Sequence, residues 1–160
     1  MKPEFLMKIN KRVNFEELFP IIEETIKSGN QFTFCAFGIS MLPFIRNGKD
    51  IVTLGPIKSE LKKNDIIFYR RANGQFVLHR IINKASDESF DLCGDNQYYI
   101  EKGICTKQII AKLDCLERNG KQIDLSSFKV RLWCFLLPLR RFLLHVKSAI
   151  RWRLRKLFKK

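Results

Sequence analysis

The stretch IIFYRRANGQFVLHRII at residues 66–82 decides the fold of this chain. Two runs rich in β-branched and aromatic residues, 66–69 and 76–82, lie on either side of the dipeptide Asn73-Gly74. Asn-Gly between two such runs is the strongest short-range signal for a β-hairpin. The stretch therefore predicts two antiparallel strands joined by a turn.

Four more short runs of similar composition lie outside this stretch, at 32–37, 51–54, 90–93 and 108–116. Gly, Asn, Asp or Pro residues bound most of them, as is typical of strands. We therefore expect a mainly β domain over residues 31–125.

A helix is expected before this domain, in an N-terminal segment of residues 1–30. Asn14 is a suitable helix cap, with a glutamate three positions later. Apolar residues then recur at the spacing of an amphipathic helix: Phe15, Leu18, Ile22 and Ile26. Pro20 is expected to kink this helix rather than abolish it.

A second helix is expected in the C-terminal segment of residues 126–160, called here the basic tail. Its apolar residues recur every three or four positions and form one stripe: Leu132, Leu136, Leu139, Leu143, Val146, Ile150, Leu154 and Leu157. Pro138 is expected to kink this pattern or to divide it into two helices.

The net charge of +14 is concentrated in the basic tail, which has eleven Lys and Arg residues and no acidic residue. The rest of the chain accounts for the remaining +3. Such a distribution indicates an anionic partner for the tail, but it does not indicate any chemistry.

Composition argues against several classes of protein. The five cysteines are odd in number and have no CxxC spacing, so neither a disulfide framework nor a metal site is expected, and no cofactor is implied. Residues 1–12 lack the apolar core of a signal peptide, and no apolar run reaches the ~18 residues of a membrane-spanning helix. The expected location is cytoplasmic or peripherally membrane-associated.

A candidate nucleophile lies in the hexapeptide Gly-Ile-Ser-Met-Leu-Pro at 38–43. A serine can act as nucleophile when a turn holds its hydroxyl exposed and leaves backbone N–H groups free to bind an oxyanion. Taken alone, the hexapeptide also fits an ordinary turn in which Ser40 is incidental.

A candidate base, His79, lies inside the apolar run 76–82. Strand alternation places His79 on one face with Val77 and Ile81, where a polar ring must be hydrogen-bonded, either structurally or as a working base. A turn with the sequence Gly94-Asp95-Asn96 follows the next predicted strand.

Together, in this order, these motifs resemble the serine peptidase group of signal peptidases and LexA-like proteins. The resemblance is to the branch that uses Ser and His rather than Ser and Lys, and to its short bacterial members. The matching residues are Gly38, Ser40, Met41, Pro43, Gly48, Asp50, Asn64, Asp65, Ile66, His79, Arg80, Gly94, Asp95 and Asn96.

The resemblance implies a LexA/signal-peptidase-like β domain that hydrolyses a peptide bond in an extended peptide or pre-protein. Ser40 matches the nucleophile and His79 the general base, and the two are expected to meet across adjacent strands. Either Asp95 or Glu101 would orient His79, with Asp95 ranked first.

The same resemblance implies that the segment around Ser40 positions the substrate and forms the oxyanion hole. The matching residues are Gly38, Ser40, Met41 and Pro43. Signal peptidases of bacteria have a serine at the position of Gly38, so the hole is expected to consist of backbone N–H groups, that of Ser40 first.

Other functions fit parts of the sequence. An inactive peptidase-fold binding module would use the basic tail to attach to an anionic membrane surface, with Trp133, Phe142 and Trp152 at the interface, or to a partner. The apolar stripe fits equally well against the β domain.

Nucleic-acid binding is not expected because no recognition motif accompanies the charge. Cys35 is a poor candidate nucleophile because it lies in an apolar strand.

Overall fold

The structure is a computed structural model that describes the backbone of residues 15–157 and the side chains of residues 17–156. The elements in chain order are helix α1 (Phe15–Lys27), strands β1 (Phe32–Cys35), β2 (Asp50–Gly55), β3 (Ile66–Arg70), β4 (Phe76–Ser86), β5 (Ser89–Cys93), β6 (Glu101–Cys105), β7 (Ile109–Arg118) and β8 (Lys121–Ile123), and helix α2 (Phe128–Leu157). The expectation of a mainly β chain with one helix at each end is confirmed. The proposed cap Asn14 lies outside the described residues.

All eight strands form one antiparallel sheet in the order β1-β2-β7-β3-β4-β5-β6, with β8 paired to the far end of β7. Strands β6 and β8 are absent from the sequence prediction. Both are short, and their sequences, Glu-Lys-Gly-Ile-Cys and Lys-Gln-Ile, have little β propensity, so cross-strand pairing rather than composition stabilises them.

The hairpin predicted from residues 66–82 is confirmed. Strands β3 and β4 pair antiparallel, with Arg70 opposite Phe76. In the turn, Gly74 has a φ of +87°, which glycine adopts without steric cost. Strand β4 continues to Ser86, beyond its predicted end, because its polar second half pairs with β5.

Apolar side chains are buried on both faces of the sheet. Along β3, Ile66 and Phe68 pack into one cluster, which also takes in Ile22 of α1. Ile67 and Tyr69 pack into the other cluster. Strand β4 follows the expected alternation, because Phe76 and Leu78 pack against the first cluster whereas Val77 and Ile81 belong to the second. His79 therefore projects toward the second cluster.

Helix α2 is continuous through Pro138, so the expected alternative of two separate helices is wrong. A proline removes only one backbone hydrogen bond, and contacts of the neighbouring turns with the sheet hold the helix together. Leu137 is buried with 2% exposure, and Arg140 donates a hydrogen bond to the backbone oxygen of Asp95.

The predicted apolar stripe of α2 does not pack on the β domain. Every described member is exposed by 37% or more: Leu132, Leu136, Leu139, Leu143, Val146, Ile150 and Leu154. The residues that face the sheet are instead Trp133, Leu137 and Arg140. Neither helix in residues 15–157 has both the length and the apolar composition that crossing a bilayer requires.

Candidate active site

Ser40 lies in the loop of residues 36–49 that connects β1 to β2. Two backbone hydrogen bonds close the loop at its base, from Ala36 N to Asp50 O at 3.0 Å and from Gly48 N to Ala36 O at 2.7 Å. The side chain of Met41 is buried in the core directly after Ser40. Ser40, half-buried, therefore occupies the point where a well-anchored loop meets the core.

The fully buried carboxylate of Asp50 fixes the second half of this loop. It accepts hydrogen bonds from Arg46 Nε at 2.8 Å and from Arg118 Nη2 at 2.7 Å, and Arg118 also donates to the Phe44 carbonyl at 2.7 Å. Burial by itself raises the pKa of Asp50, but the hydrogen bonds from Arg118 and Arg46 hold that pKa below its usual range. The loop that carries Ser40 is thus tied to β2 and β7.

His79 lies on β4 with 1% of its side chain exposed. Its Nδ1 is 3.2 Å from Glu101 Oε1 and 3.2 Å from the hydroxyl oxygen of Tyr69. Glu101 is the first residue of β6, and its carboxylate also accepts two hydrogen bonds from Arg71, one of them at 2.8 Å. Tyr69, His79, Glu101 and Arg71 therefore form one polar cluster, called here the His79 cluster.

The charge of Glu101 favours one tautomer of His79. Burial by itself raises the pKa of Glu101, but hydrogen bonds from Arg71 and Tyr69 hold that pKa below its usual value. An ionised carboxylate can only accept hydrogen bonds, which favours the tautomer of the neutral imidazole with its proton on Nδ1. In this tautomer the lone pair is on Nε2, which is the arrangement that a general base requires.

The imidazole of His79 is uncharged at neutral pH. Burial lowers the pKa of His79 to about 4, although the negative charges of Glu101 and Asp95 act in the opposite direction. Burial and the charge of Glu101 raise the pKa of Tyr69 well above its usual value, so the phenol stays protonated beside it. His79 is therefore in its proton-accepting form over the whole neutral range.

Gly94 packs against both the Ser40 backbone carbonyl and Nε2 of His79. A Cβ atom at Gly94 would be 2.6 Å from the Ser40 carbonyl oxygen and 3.1 Å from His79 Nε2, so only glycine fits without displacement. Within the described residues, Nε2 is buried and has no hydrogen-bond partner. Ser40 and His79 line the same pocket of about 250 Å³, together with Gln97.

The turn after β5 holds the Ser40 loop in place. The Asn96 backbone N–H donates to the Ser40 carbonyl at 2.7 Å, and the Asn96 side chain donates to the Ile39 carbonyl at 3.1 Å. The expectation that Ser40 and His79 meet across adjacent strands is wrong in this respect, because β1 and β4 are not neighbours in the sheet. The turn at 94–96 instead holds the Ser40 backbone at the pocket that His79 also lines, and no hydrogen bond joins Ser40 to Nε2 of His79.

Asp95, which we ranked before Glu101 as the residue that orients His79, does not contact Nδ1 of the imidazole. Glu101 is the carboxylate that lies beside this atom. Its buried carboxylate accepts hydrogen bonds from Arg80 at 2.9 and 2.7 Å and from Trp133 Nε1 at 2.9 Å. Asp95 acts on His79 only through its charge. The expectation that Trp133 lies at a membrane interface is also wrong, because this side chain faces the sheet and stacks on Phe44.

The remaining residues of the predicted oxyanion segment have different environments. Gly38 has a φ of +119°, and its N–H already donates to the Asn47 side chain at 2.9 Å. Met41 is a core residue and Pro43 is exposed. The backbone N–H of Ser40 as oxyanion donor stays a prediction.

Sequence reasoning missed Tyr69 and Arg71. Tyr69 could have been found, because alternation along β3 puts it on the same face as Ile67, which pairs with His79. Arg71 follows the strand and offered no such signal. Burial raises the pKa of the Cys35 thiol, which agrees with its rejection as a nucleophile.

No protein-family model matches this sequence, and no curated protein matches it. The chemistry of the described residues is consequently the basis for assigning a function.

Proposed function

We propose that this protein is a serine endopeptidase of the signal-peptidase type, built on a LexA-like β domain. One observation carries the proposal: Nε2 of the neutral imidazole beside Glu101 is buried without a hydrogen-bond partner, and His79 lines the same pocket as Ser40. A buried polar atom without a partner is costly to keep, so its retention argues for a working role.

The proposed reaction begins with attack of the Ser40 hydroxyl oxygen on the carbonyl carbon of a peptide bond. The hydroxyl proton passes to Nε2 of His79, and the imidazolium is stabilised by Glu101 at Nδ1. The tetrahedral intermediate collapses when the C–N bond breaks and His79 returns the proton to the leaving amine. Water then hydrolyses the Ser40 ester with His79 again as the base, which releases the acid and restores the serine.

The low pKa of His79 makes this base available well below neutral pH. A weak base has a smaller driving force for removing a proton, so stabilisation of the imidazolium by Glu101 matters more here than for an ordinary histidine. Two hydrogen bonds from Arg71 hold the carboxylate of Glu101 in place beside Nδ1 of His79.

The proposed substrate segment is extended. In the described sheet, β1 is at the edge and continues into the Ser40 loop. A peptide that added to this edge would form backbone hydrogen bonds as an extra strand and would present a peptide bond toward Ser40.

A serine-directed fluorophosphonate probe tests the nucleophile without knowledge of the substrate. The expected result is a single label on Ser40, lost in Ser40→Ala and formed at least ~10⁴-fold more slowly in His79→Ala. Ser89→Ala is the matched control, since Ser89 is also half-buried but belongs to β5. Full labelling of Ser40→Ala would remove Ser40 from the mechanism. A folded wild-type protein that takes up no label would favour the inactive binding module.

A further inference from the structure

The side of α2 that points away from the sheet is a continuous apolar surface. At 100° per residue, Leu137 and the residues in line with it face the sheet, and the residues around the opposite direction form what we call the outer face. Its members are Phe128, Leu132, Phe135, Leu139, Phe142, Leu143, Val146 and Ile150. Their exposed fractions range from 37% for Val146 to 79% for Phe135.

The outer face cannot turn toward the sheet without breaking polar contacts on the other side of the helix. Trp133 donates to the buried carboxylate of Asp95, and Arg140 donates to Asn96 Oδ1 at 2.9 Å. Farther along, Ser148 is 3.1 Å from the hydroxyl of Tyr98. These contacts fix the rotation of α2 about its axis, so the apolar side chains remain exposed until something else covers them.

The charge around this face identifies what covers it. Helix α2 has no acidic residue, and its basic residues are Lys129, Arg131, Arg140, Arg141, Lys147, Arg151, Arg153, Arg155 and Lys156. A second copy of the helix packed on the outer face would bring these cations together and would be repelled. A surface that combines an apolar layer with negative charge is complementary to it, and an anionic lipid bilayer has this combination.

The position of the charges also sets how the helix would lie. Arg140 is near the middle of α2 and contacts the body of the protein, which excludes burial of the whole helix circumference in lipid. The outer face would enter the bilayer surface while the helix axis stays parallel to it.

We infer that the outer face of α2 docks the protein on an anionic membrane surface. This inference does not depend on the chemistry of Ser40. It places the pocket on the side of α2 opposite to lipid, because Arg140 of the sheet-facing side contacts Asn96, and Asn96 in turn binds the Ser40 carbonyl.

Co-sedimentation with lipid vesicles tests the docking, with Ser40→Ala protein so that no hydrolysis is involved. Vesicles of phosphatidylcholine with about one-third phosphatidylglycerol are compared with pure phosphatidylcholine. The parent protein is expected to bind the anionic vesicles and to be released by salt. The double variant Phe135→Glu/Phe142→Glu should lose at least ~10-fold in affinity, because both side chains are on the outer face.

The matched control is Ile21→Glu/Ile57→Glu, which adds the same charge at two exposed apolar residues outside α2. It should bind within about twofold of the parent. Equal binding by the outer-face variant and the parent would overturn the inference, as would failure of the parent to bind. A parent that is dimeric in size-exclusion chromatography, does not bind vesicles and becomes monomeric in Phe135→Glu/Phe142→Glu would show that a second copy covers the face instead.

Discussion

Two neighbouring residues of β4, His79 and Arg80, project to opposite sides of the sheet and meet carboxylates in different ways. Arg80 holds Asp95 through two hydrogen bonds, and the indole N–H of Trp133 completes that pair. Glu101 is shared between Arg71, Tyr69 and Nδ1 of His79. The difference shows how one strand carries a structural ion pair and a candidate catalytic base side by side.

The ion pair of Arg80 and Asp95, called here the Asp95 pair, is fully buried, whereas the His79 cluster is partly exposed to solvent. Both partners of the Asp95 pair are at most 2% exposed, so the charges compensate each other and connect the turn at 94–96 to α2. In the His79 cluster the imidazole retains a free lone pair, and Arg71 reaches solvent. Asp95 forms an ion pair that is buried and does not contact His79, whereas Glu101 pairs with a partly exposed arginine and also lies beside Nδ1 of the imidazole.

The largest expected effect is on the rate of Ser40 labelling, which should differ between variants of Glu101 and variants of Asp95. Glu101→Gln is expected to lower the rate of fluorophosphonate labelling at Ser40 by about 10³- to 10⁴-fold, because the amide no longer fixes the tautomer of His79 or stabilises its charged form. Asp95→Asn should lower the rate per folded molecule by no more than about tenfold, since Asp95 does not contact Nδ1. Slower labelling in Asp95→Asn than in Glu101→Gln would reverse the assignment.

The free energy of unfolding should show the opposite order, with a larger loss for the Asp95 variant than for the Glu101 variant. Asp95→Asn is expected to lower the free energy of unfolding by roughly 3 kcal/mol, because the buried guanidinium of Arg80 loses its counter-charge. Glu101→Gln should cost clearly less, since the freed Arg71 can turn toward water. Urea denaturation of both variants measures this difference. Equal losses of unfolding free energy would contradict the contrast between the buried Asp95 pair and the partly exposed His79 cluster.

The spacing between Ser40 and His79 should depend on the absence of a side chain at residue 94. Gly94→Ala is expected to slow labelling by about 10²-fold, because the new methyl group displaces the Ser40 carbonyl or the imidazole. Gly103→Ala is the control: its Cβ would meet open space, so any cost falls on stability rather than on the labelling rate. Labelling of Gly94→Ala at the wild-type rate would show that this contact does not position Ser40.

The lowered pKa of His79 predicts a pH-dependent stability. The unfolded chain binds a proton near pH 6.5 and the folded chain only near pH 4, so the contribution of His79 is present above pH 6.5 and lost as pH falls through about 4. Between pH 6.5 and 5 the free energy of unfolding should fall by about 2 kcal/mol. Urea denaturation at the two pH values should show this fall in the wild type and not in His79→Gln; an equal fall in both would contradict it.

Much of the fold was accessible from local sequence. The hairpin around Asn73-Gly74, the alternation of Val77, His79 and Ile81, and a helix at each end all follow from short-range patterns. The exposure of the outer face of α2 does not follow from such patterns. A periodic apolar stripe predicts that one face of a helix is covered, but it does not indicate what covers that face.

Local sequence also could not indicate whether Asp95 or Glu101 lies beside His79. Asp95 is in a recognisable motif, whereas Glu101 begins β6, a strand without β-prone composition. Only the pairing of Glu101 with Leu92 on β5 brings its carboxylate to His79. A long-range register of this kind leaves no local signal, which is why the motif residue was ranked first.

Nitrogen NMR of His79 addresses the orientation of the imidazole. Only two histidines occur in the chain, so His145→Gln leaves His79 as the single signal. We expect a protonated Nδ1 and an unprotonated Nε2 at neutral pH, with charging of the ring only near pH 4. A ring protonated on Nε2 at neutral pH, or one that titrates at or above the ordinary pKa of about 6.5, would contradict a base prepared by Glu101 for Ser40.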